Sequence, residues 1–160
     1  MITLIVAQDQ SGAIGHNGAI PWDIPEDLKS FQRETLGGAL IMGRNTWDSL
    51  PVKPLPRRYN IVVSGRSDVA EVVAPSVTAA VKHARDQGYD RIYGMGGAGI
   101  YKEMIPLAHR LLLTDVDLRV DAADTYFPEL DLRAWTIVNE RVLRAEGPRC
   151  VVREYLRCRA

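Results

Sequence analysis

The sequence predicts an α/β fold, a central, mostly parallel, twisted sheet of about eight strands with a C-terminal antiparallel hairpin, flanked by about four helices. Three observations predict it. Apolar runs of strand length alternate with helix-patterned segments over the first two thirds of the chain. The first run, Ile2 to Ala7, is nearly continuous in apolar character, as expected of a strand covered on both faces. After Pro106 the alternation stops, and strand-like runs follow one another across turn-rich segments with no helix between them. The chain has 160 residues, within the size of one hydrophobic core, so residues 1–160 read as a single domain.

In chain order, the strand at Ile2 to Ala7 gives way to a polar stretch from Asp9 to Trp22 that carries Gly12, Gly15 and Gly18. It shows no periodicity and reads as a long loop of the functional or mobile kind. A helix begins near Pro25, where a missing N–H costs nothing; Asp23 is the expected cap and Glu26 completes a capping box. Ala39 to Met42 reads as a strand, Asn45 to Leu50 as a short helix and Tyr59 to Val63 as a strand. A weak strand around Val72 precedes a helix from Ser76 to Gln87. Arg91 to Met95 is a strand, and after Gly96-Gly97 a helix runs from Ala98 to Ile105. Leu111 to Val116, Trp135 to Asn139 and Cys150 to Leu156 are the remaining strands. There is no internal repeat, low-complexity tract or linker.

Hydrophobic residues make up 46% and charged residues 25%, the balance of a soluble globular chain. Twenty basic residues match twenty acidic ones, so net charge argues for neither nucleic acid nor an anionic membrane. The N-terminal MITLIVAQDQ lacks the basic region and cleavage site of a signal peptide and is too short to span a bilayer. Cys150 and Cys158 are too few for a disulfide framework and share parity at opposite ends of one extended segment, too far apart to bridge. Free thiols in a reducing, cytoplasmic compartment are expected.

Asp27 is the most informative polar residue. It precedes Phe31 by four positions, about 40° around a helix whose apolar face is read through Leu28, Phe31 and Thr35. A carboxylate there stands at the edge of the buried stripe, toward the loop that carries Trp22. The competing reading is a first-turn acid favoured by the helix dipole. Partial burial would raise its pKa and suit a cationic or amidine-like ligand group. Gly96-Gly97, between a strand and a helix, permits close approach of a phosphate to backbone N–H groups, although G-M-G-G-A-G is not the full dinucleotide fingerprint. Met42-Gly43-Arg44-Asn45-Thr46 is a second strand-to-helix turn, with Arg44 and the Thr46 hydroxyl as phosphate ligands. Two such turns in one sheet favour a dinucleotide over either alone. Pro54-Leu55-Pro56-Arg57-Arg58 presents arginine on a stiffened approach, suited to a carboxylate. His16, His83 and His109 show no ligand spacing, and no metal site or nucleophile triad is present in the pattern.

Over essentially its whole length the chain resembles bacterial dihydrofolate reductases. The resemblance is carried by Ile14-Gly15, Ile20-Pro21-Trp22, Pro25-Glu26-Asp27-Leu28 with Phe31, IMGRNTWDSL, PLPRRYNIVVS, MGGAGIY, LLLTDVD and DTYFPEL. It implies a cytoplasmic, NADPH-dependent enzyme of tetrahydrofolate biosynthesis and one-carbon metabolism, with dihydrofolate as substrate; nothing in the sequence demands a partner, so a monomer is the default expectation. Diaminopyrimidine antifolates such as trimethoprim are the implied inhibitors. Asp27 would hydrogen-bond the pterin and favour protonation at N5, with Trp22 and Thr114 in the supporting network. Ile5, Ala7, Leu28, Phe31, Leu50, Leu55 and Met95 would line the substrate pocket, and Arg58 would grip the glutamate α-carboxylate. The cofactor would meet Ala7, Ile14, Ile20, Gly43, Arg44, Asn45, Thr46, Ser64, Gly65, Arg66 and Met95. It would also meet the turn Gly96, Gly97, Ala98, Gly99, Ile100 and Tyr101, with a cis peptide between Gly96 and Gly97. Asp9 to Trp22 would close over the nicotinamide.

Three departures from the family pattern stand out: Ala98 replaces a glycine and Gly99 a commonly polar residue, Gly65 follows Ser64 with Arg66 as the nearest substitute, and one residue is inserted before Asp124. Two alternatives remain at this point. One is the related riboflavin-pathway reductase, which would not be expected to carry Trp22, Asp27, Phe31 and Arg58 together. The other is a nucleotide- or folate-binding protein without catalysis.

Overall fold

Alternating apolar character along the strands settles how the sheet is covered. A computed structural model describes residues 1–15 and 22–159. The strands are β1 (Ile2–Gln8), β2 (Ala13–Gly15), β3 (Ala39–Gly43), β4 (Tyr59–Val63), β5 (Val73–Ala74), β6 (Ile92–Gly94), β7 (Arg110–Val116), β8 (Thr125–Tyr126), β9 (Trp135–Arg144) and β10 (Cys150–Arg157). The helices are α1 (Pro25–Thr35), α2 (Arg44–Ser49), α3 (Val77–Asp86) and α4 (Ala98–Met104). Eight strands form one sheet in the order β5-β4-β3-β6-β1-β7-β10-β9. All its pairings are parallel except those of β10, which runs antiparallel to both β7 and β9 and makes the C-terminal hairpin. The expected α/β architecture is therefore present.

Successive residues of a strand point to opposite faces. Ile2, Leu4 and Val6 of β1, Ile41 of β3, Ile61 of β4 and Leu111 and Leu113 of β7 join one core with α3 and α4. Helix α3 meets it through Val77, Ala80, Val81 and Ala84, the i, i+3, i+4, i+7 stripe of a surface helix, and Ser76 caps that helix by accepting the Ala79 amide at 3.1 Å. On the other face Leu40, Met42, Val62 and Tyr93 are buried, while Ile5, Phe31, Trp47, Leu50, Leu55 and Met95 pack on them only in part.

Several local expectations are corrected. Asp23 does not cap α1: the cap position is Ile24, in an extended conformation and with no side-chain hydrogen bond. A residue before proline avoids the helical region, so Pro25 fixes the start one residue beyond Asp23. Glu26 then turns outward to pair with Arg144 at 3.1 Å. Nor is Leu28 on a buried stripe; it is 56% exposed, and within α1 only Thr35 is buried. The Asp9–Trp22 stretch is not wholly irregular, because Ala13–Gly15 pairs antiparallel with Thr125–Tyr126. The weak strand near Val72 is the two-residue β5, and β9 runs five residues beyond Asn139, to Arg144. Short 3-10 turns, Ile105–Leu107 and Leu132–Ala134, occupy the region read as free of helix. His16 and Ile20 lie outside the described residues. His83 bonds the Tyr59 hydroxyl at 2.8 Å, and His109 Nδ1 accepts the Ile2 amide at 3.0 Å.

Candidate active site

The order of the strands creates the cleft. From β1 the chain moves through α1 to β3 on one side, and from β6 through α4 to β7 on the other, so connections diverge at the carboxyl ends of β1 and β6. Ligands of open α/β sheets bind at such a divergence. Around it lie Ala7 at the end of β1, Gly43 at the end of β3, Met95-Gly96-Gly97 after β6 and Thr114 near the end of β7, with Ala7 and Thr114 directly opposite in register.

Asp27, on the first turn of α1, is half-buried beside this edge and accepts a hydrogen bond from the buried Thr114 hydroxyl. Burial raises its pKa above the ordinary carboxylate value, and the Thr114 bond opposes that shift without cancelling it. No ion pair reaches Asp27 among the described residues, which is the electrostatic state a cationic or amidine-like group would relieve. Trp22, like Leu118 and Leu143, packs against the buried cluster of Ile24, Val116 and Cys150. Its indole N–H is buried and has no protein acceptor among the described residues. Such a donor is commonly satisfied by a ligand or an ordered water.

On the same face of the sheet Ile5, Phe31, Leu50, Leu55 and Met95 are partly exposed apolar residues packed on one buried cluster. Leu28, on α1, is exposed. Arg58 lies against this cluster, its guanidinium 5.8 Å from the Phe31 ring centre, donating to the Pro56 carbonyl at 3.1 Å and the Thr35 hydroxyl at 3.2 Å. Partial burial, and then the neighbouring Arg57, lower its pKa, and neither arginine has a carboxylate partner among the described residues. An anion is the group that would stabilise this pair. The sequence reading missed Asn60, a polar position inside an apolar strand. Its side chain accepts the Leu55 amide at 2.9 Å and donates to the Leu55 and Arg58 carbonyls at 3.0 and 2.9 Å. It thereby sets the loop that presents Leu55 and Arg58. The available signal was an asparagine where the strand pattern calls for a hydrophobe.

The two glycine-bearing turns meet. The Gly43 amide donates to the Gly96 carbonyl at 2.8 Å, and the Gly96–Gly97 peptide bond is cis, as the resemblance implied. Gly96 has φ +111°, and a Cβ there would lie 3.3 Å from the Tyr101 ring. A Cβ on Gly97 would meet only the Thr46 hydroxyl, at 3.8 Å, and those on Gly65 and Gly99 would meet nothing within 4 Å. Backbone is thus left uncovered where a phosphate would approach. Thr46 and the exposed Arg44 and Asn45 lie on the first turn of α2. Ser64 Oγ accepts the Arg66 amide at 3.1 Å. Arg44 pairs with Asp48 at 3.5 Å and Arg66 with Asp68 at 3.0 Å, all four side chains well exposed, and such surface pairs exchange readily for a stronger anion. Donors, open backbone and arginines suit a dinucleotide phosphate chain. Ala98 is half-buried beside the turn, whereas Ile100 and Tyr101 lie in the core behind it; the Tyr101 hydroxyl donates to the Ile5 carbonyl at 2.8 Å, and Ile14 packs against that same core.

A separate cavity of about 180 Å³ lies on the other side of α1, lined in part by Ser30, Arg33, Arg110 and Glu154. Arg110 is already paired there with Glu34 and Glu154. No cluster able to hold a metal ion occurs among the described residues.

The model of the family described as dihydrofolate reductase matches residues 1–157. The dihydrofolate reductase of Neisseria meningitidis serogroup B is 44% identical over 161 aligned positions, covering 98% of each chain. That of Neisseria gonorrhoeae is 47% identical over 135 positions, 84% of this chain and 83% of its own. The chain belongs to the dihydrofolate reductase family. A dihydrofolate reductase from Enterococcus faecalis, solved in complex with NADP(H) and RAB-propyl, superimposes with a TM-score of 0.90 at 30% identity, covering 99% of this chain and 97% of that one. Membership of the bacterial type makes the chain an NADPH-dependent oxidoreductase that reduces dihydrofolate. The riboflavin-pathway alternative is set aside by the same matches.

Proposed function

We propose that the reaction is reduction of 7,8-dihydrofolate to 5,6,7,8-tetrahydrofolate, with hydride delivered to C6 and a proton to N5. The observation that carries this reading is the half-buried Asp27, held by Thr114, whose strand partner Ala7 lies at the end of β1 where the chain connections diverge. When bound, NADPH supplies the hydride. The chain's own residues supply alignment and dryness. Asp27 accepts hydrogen bonds from N3–H and the 2-amino group of the pterin, fixing which face of C6 is presented. Burial raises its pKa, so it favours protonation of the bound pterin more than an ordinary carboxylate would, and the proton reaches N5 through water rather than by direct contact. The Thr114 hydroxyl holds the carboxylate, and the buried Trp22 N–H suits the water that completes the relay.

Phe31, Leu50 and Leu55 enclose the aminobenzoyl portion, and Arg58 takes the glutamate α-carboxylate in a two-point grip that lysine cannot match. Arg44, Thr46, Ser64 and Arg66 would hold the cofactor phosphates, with Gly43, Gly96 and Gly97 giving the backbone room to approach. A diaminopyrimidine, which is an amidine-like cation when protonated, would bind Asp27 in place of the pterin. The protein acts as a cytoplasmic monomer in this reading.

The test is loss of NADPH absorbance on addition of dihydrofolate, repeated with trimethoprim. Turnover that requires dihydrofolate supports the assignment. NADPH binding without turnover would instead support a non-catalytic binding protein.

A further inference from the structure

Asp9 is the first residue beyond β1, is 1% exposed, and has no part in the chemistry above. One of its oxygens accepts the Ser11 amide at 2.8 Å, the Ser11 hydroxyl at 2.7 Å and the Ala13 amide at 2.8 Å. The other accepts the Val120 amide at 2.7 Å, from a segment far away in sequence. No ion pair reaches it among the described residues, so a buried charge is balanced by neutral donors alone. Burial would push this carboxyl up, but the bonds from Val120, Ser11 and Ala13 outweigh burial and hold it below its ordinary value.

The Ser11 and Ala13 bonds make a local turn, which many aspartates form. The Val120 bond is different, because it joins the exit of β1 to the exit of β7. Backbone bonds extend the seam: Gln10 N–H to the Leu118 carbonyl at 3.0 Å, Phe127 N–H to Gly12 at 2.9 Å and Asp124 N–H to Gly15 at 3.2 Å. Both joined strands carry site residues. Ala7 lies two residues before Asp9 and opposite Thr114, whose hydroxyl holds Asp27, while Ala13 directly precedes Ile14.

We propose that Asp9 is a positioning residue for dihydrofolate reduction: by clasping amides of both segments, its carboxylate fixes Ile14 and the Thr114–Asp27 pair relative to bound cofactor and pterin. This rests on the reaction proposed above.

Asp9→Asn is the discriminating variant. Its single amide oxygen still accepts the Ser11 and Ala13 donors, but an NH2 group then faces the Val120 N–H, so the turn survives and the clasp is lost. Four quantities are compared with wild type: Tm, NADPH affinity by fluorescence quenching without substrate, the single-turnover hydride rate, and KM for dihydrofolate. The expected result is a roughly tenfold or greater fall in the hydride rate from misalignment and a weaker NADPH affinity, with KM almost unchanged. Ser11→Ala, which keeps charge and clasp, should leave the rate within about twofold, as for a surface change away from the reacting groups. A folded Asp9→Asn with wild-type hydride rate and NADPH affinity overturns the proposal, as does equal slowing by Ser11→Ala. If Asp9→Asn does not fold, Val120→Pro removes the clasping N–H, besides fixing the backbone at that position, and carries the same expectation. A wild-type chain inert toward dihydrofolate would sink the assigned reaction instead, and NADPH affinity would remain to judge the clasp.

Discussion

On the α3–α4 face of the sheet, Leu4, Ile41, Ile61, Met104 and Leu111 are completely buried; on the α1 face, Ile5, Phe31, Leu50, Leu55 and Met95 stay partly open and Leu28 is more than half exposed. The same strands build both faces, with alternate residues. The first face is a finished core, and the second lacks the layer that would finish it. Apolar area left unburied contributes nothing to folding but about 25 cal/mol per Å² to a ligand that covers it. Asp27 belongs to the second face, where its charge is poorly solvated and unpaired. The lesson is a division of labour: stability should follow changes on one face and binding changes on the other.

The most severe way to probe that division is Asp27→Asn. Activity at neutral pH should fall roughly 100-fold or more and recover in part in acid, where substrate arrives already protonated. Because Asp27 titrates higher in the folded chain than in the unfolded one, the stability it contributes is complete below the unfolded pKa and is lost as pH rises through the folded one. Its charge therefore opposes folding at neutral pH, and Asp27→Asn should raise Tm there. Equal loss of activity at every pH, or a lower Tm, would break the comparison. Leu111→Ala, on the finished face, should cost about 2–5 kcal/mol in denaturant unfolding while leaving both KM values near wild type. Arg58→Lys should raise KM for dihydrofolate by roughly tenfold through loss of the two-point grip, with Tm almost unmoved. Thr46→Val sharpens the picture most gently: one hydrogen bond, about 1 kcal/mol, should be lost from NADPH binding measured by fluorescence, and little from stability.

Much of this was legible in the sequence because it is written locally. Continuous apolar runs marked β1, β3 and β4, the two glycine-bearing turns stood between strand and helix patterns, and Asp27 lay one helical turn from Phe31. The misread parts depend on distant partners. Strand β2 has three residues and β8 two, and neither has a pattern of its own until it pairs with the other. Asp23 and Glu26 matched a capping box, yet Pro25 holds Ile24 extended and moves the cap. Leu28 shares helical phase with Phe31, but phase cannot tell a buried stripe from one left exposed. Asn60 read as one residue of a strand, and nothing in that pattern shows its side chain turning back onto the Leu55 and Arg58 backbone. Asp9 read as a loop residue, and its Val120 partner is far away in sequence.

Cys150 is buried against Trp22, Ile24 and Val116, whereas Cys158 is exposed beside the Thr136 hydroxyl. Burial, and then the charge of Asp27, raise the Cys150 thiol above its ordinary pKa, so little of the reactive thiolate forms even if a reagent reaches it. The native chain should therefore consume one equivalent of a disulfide reagent at once and a second only as fast as the β7–β10 region opens. That slow equivalent is a built-in clock, and its delay on adding NADPH or an antifolate would time how firmly each ligand locks the floor beneath Asp27, with no label engineered into the protein.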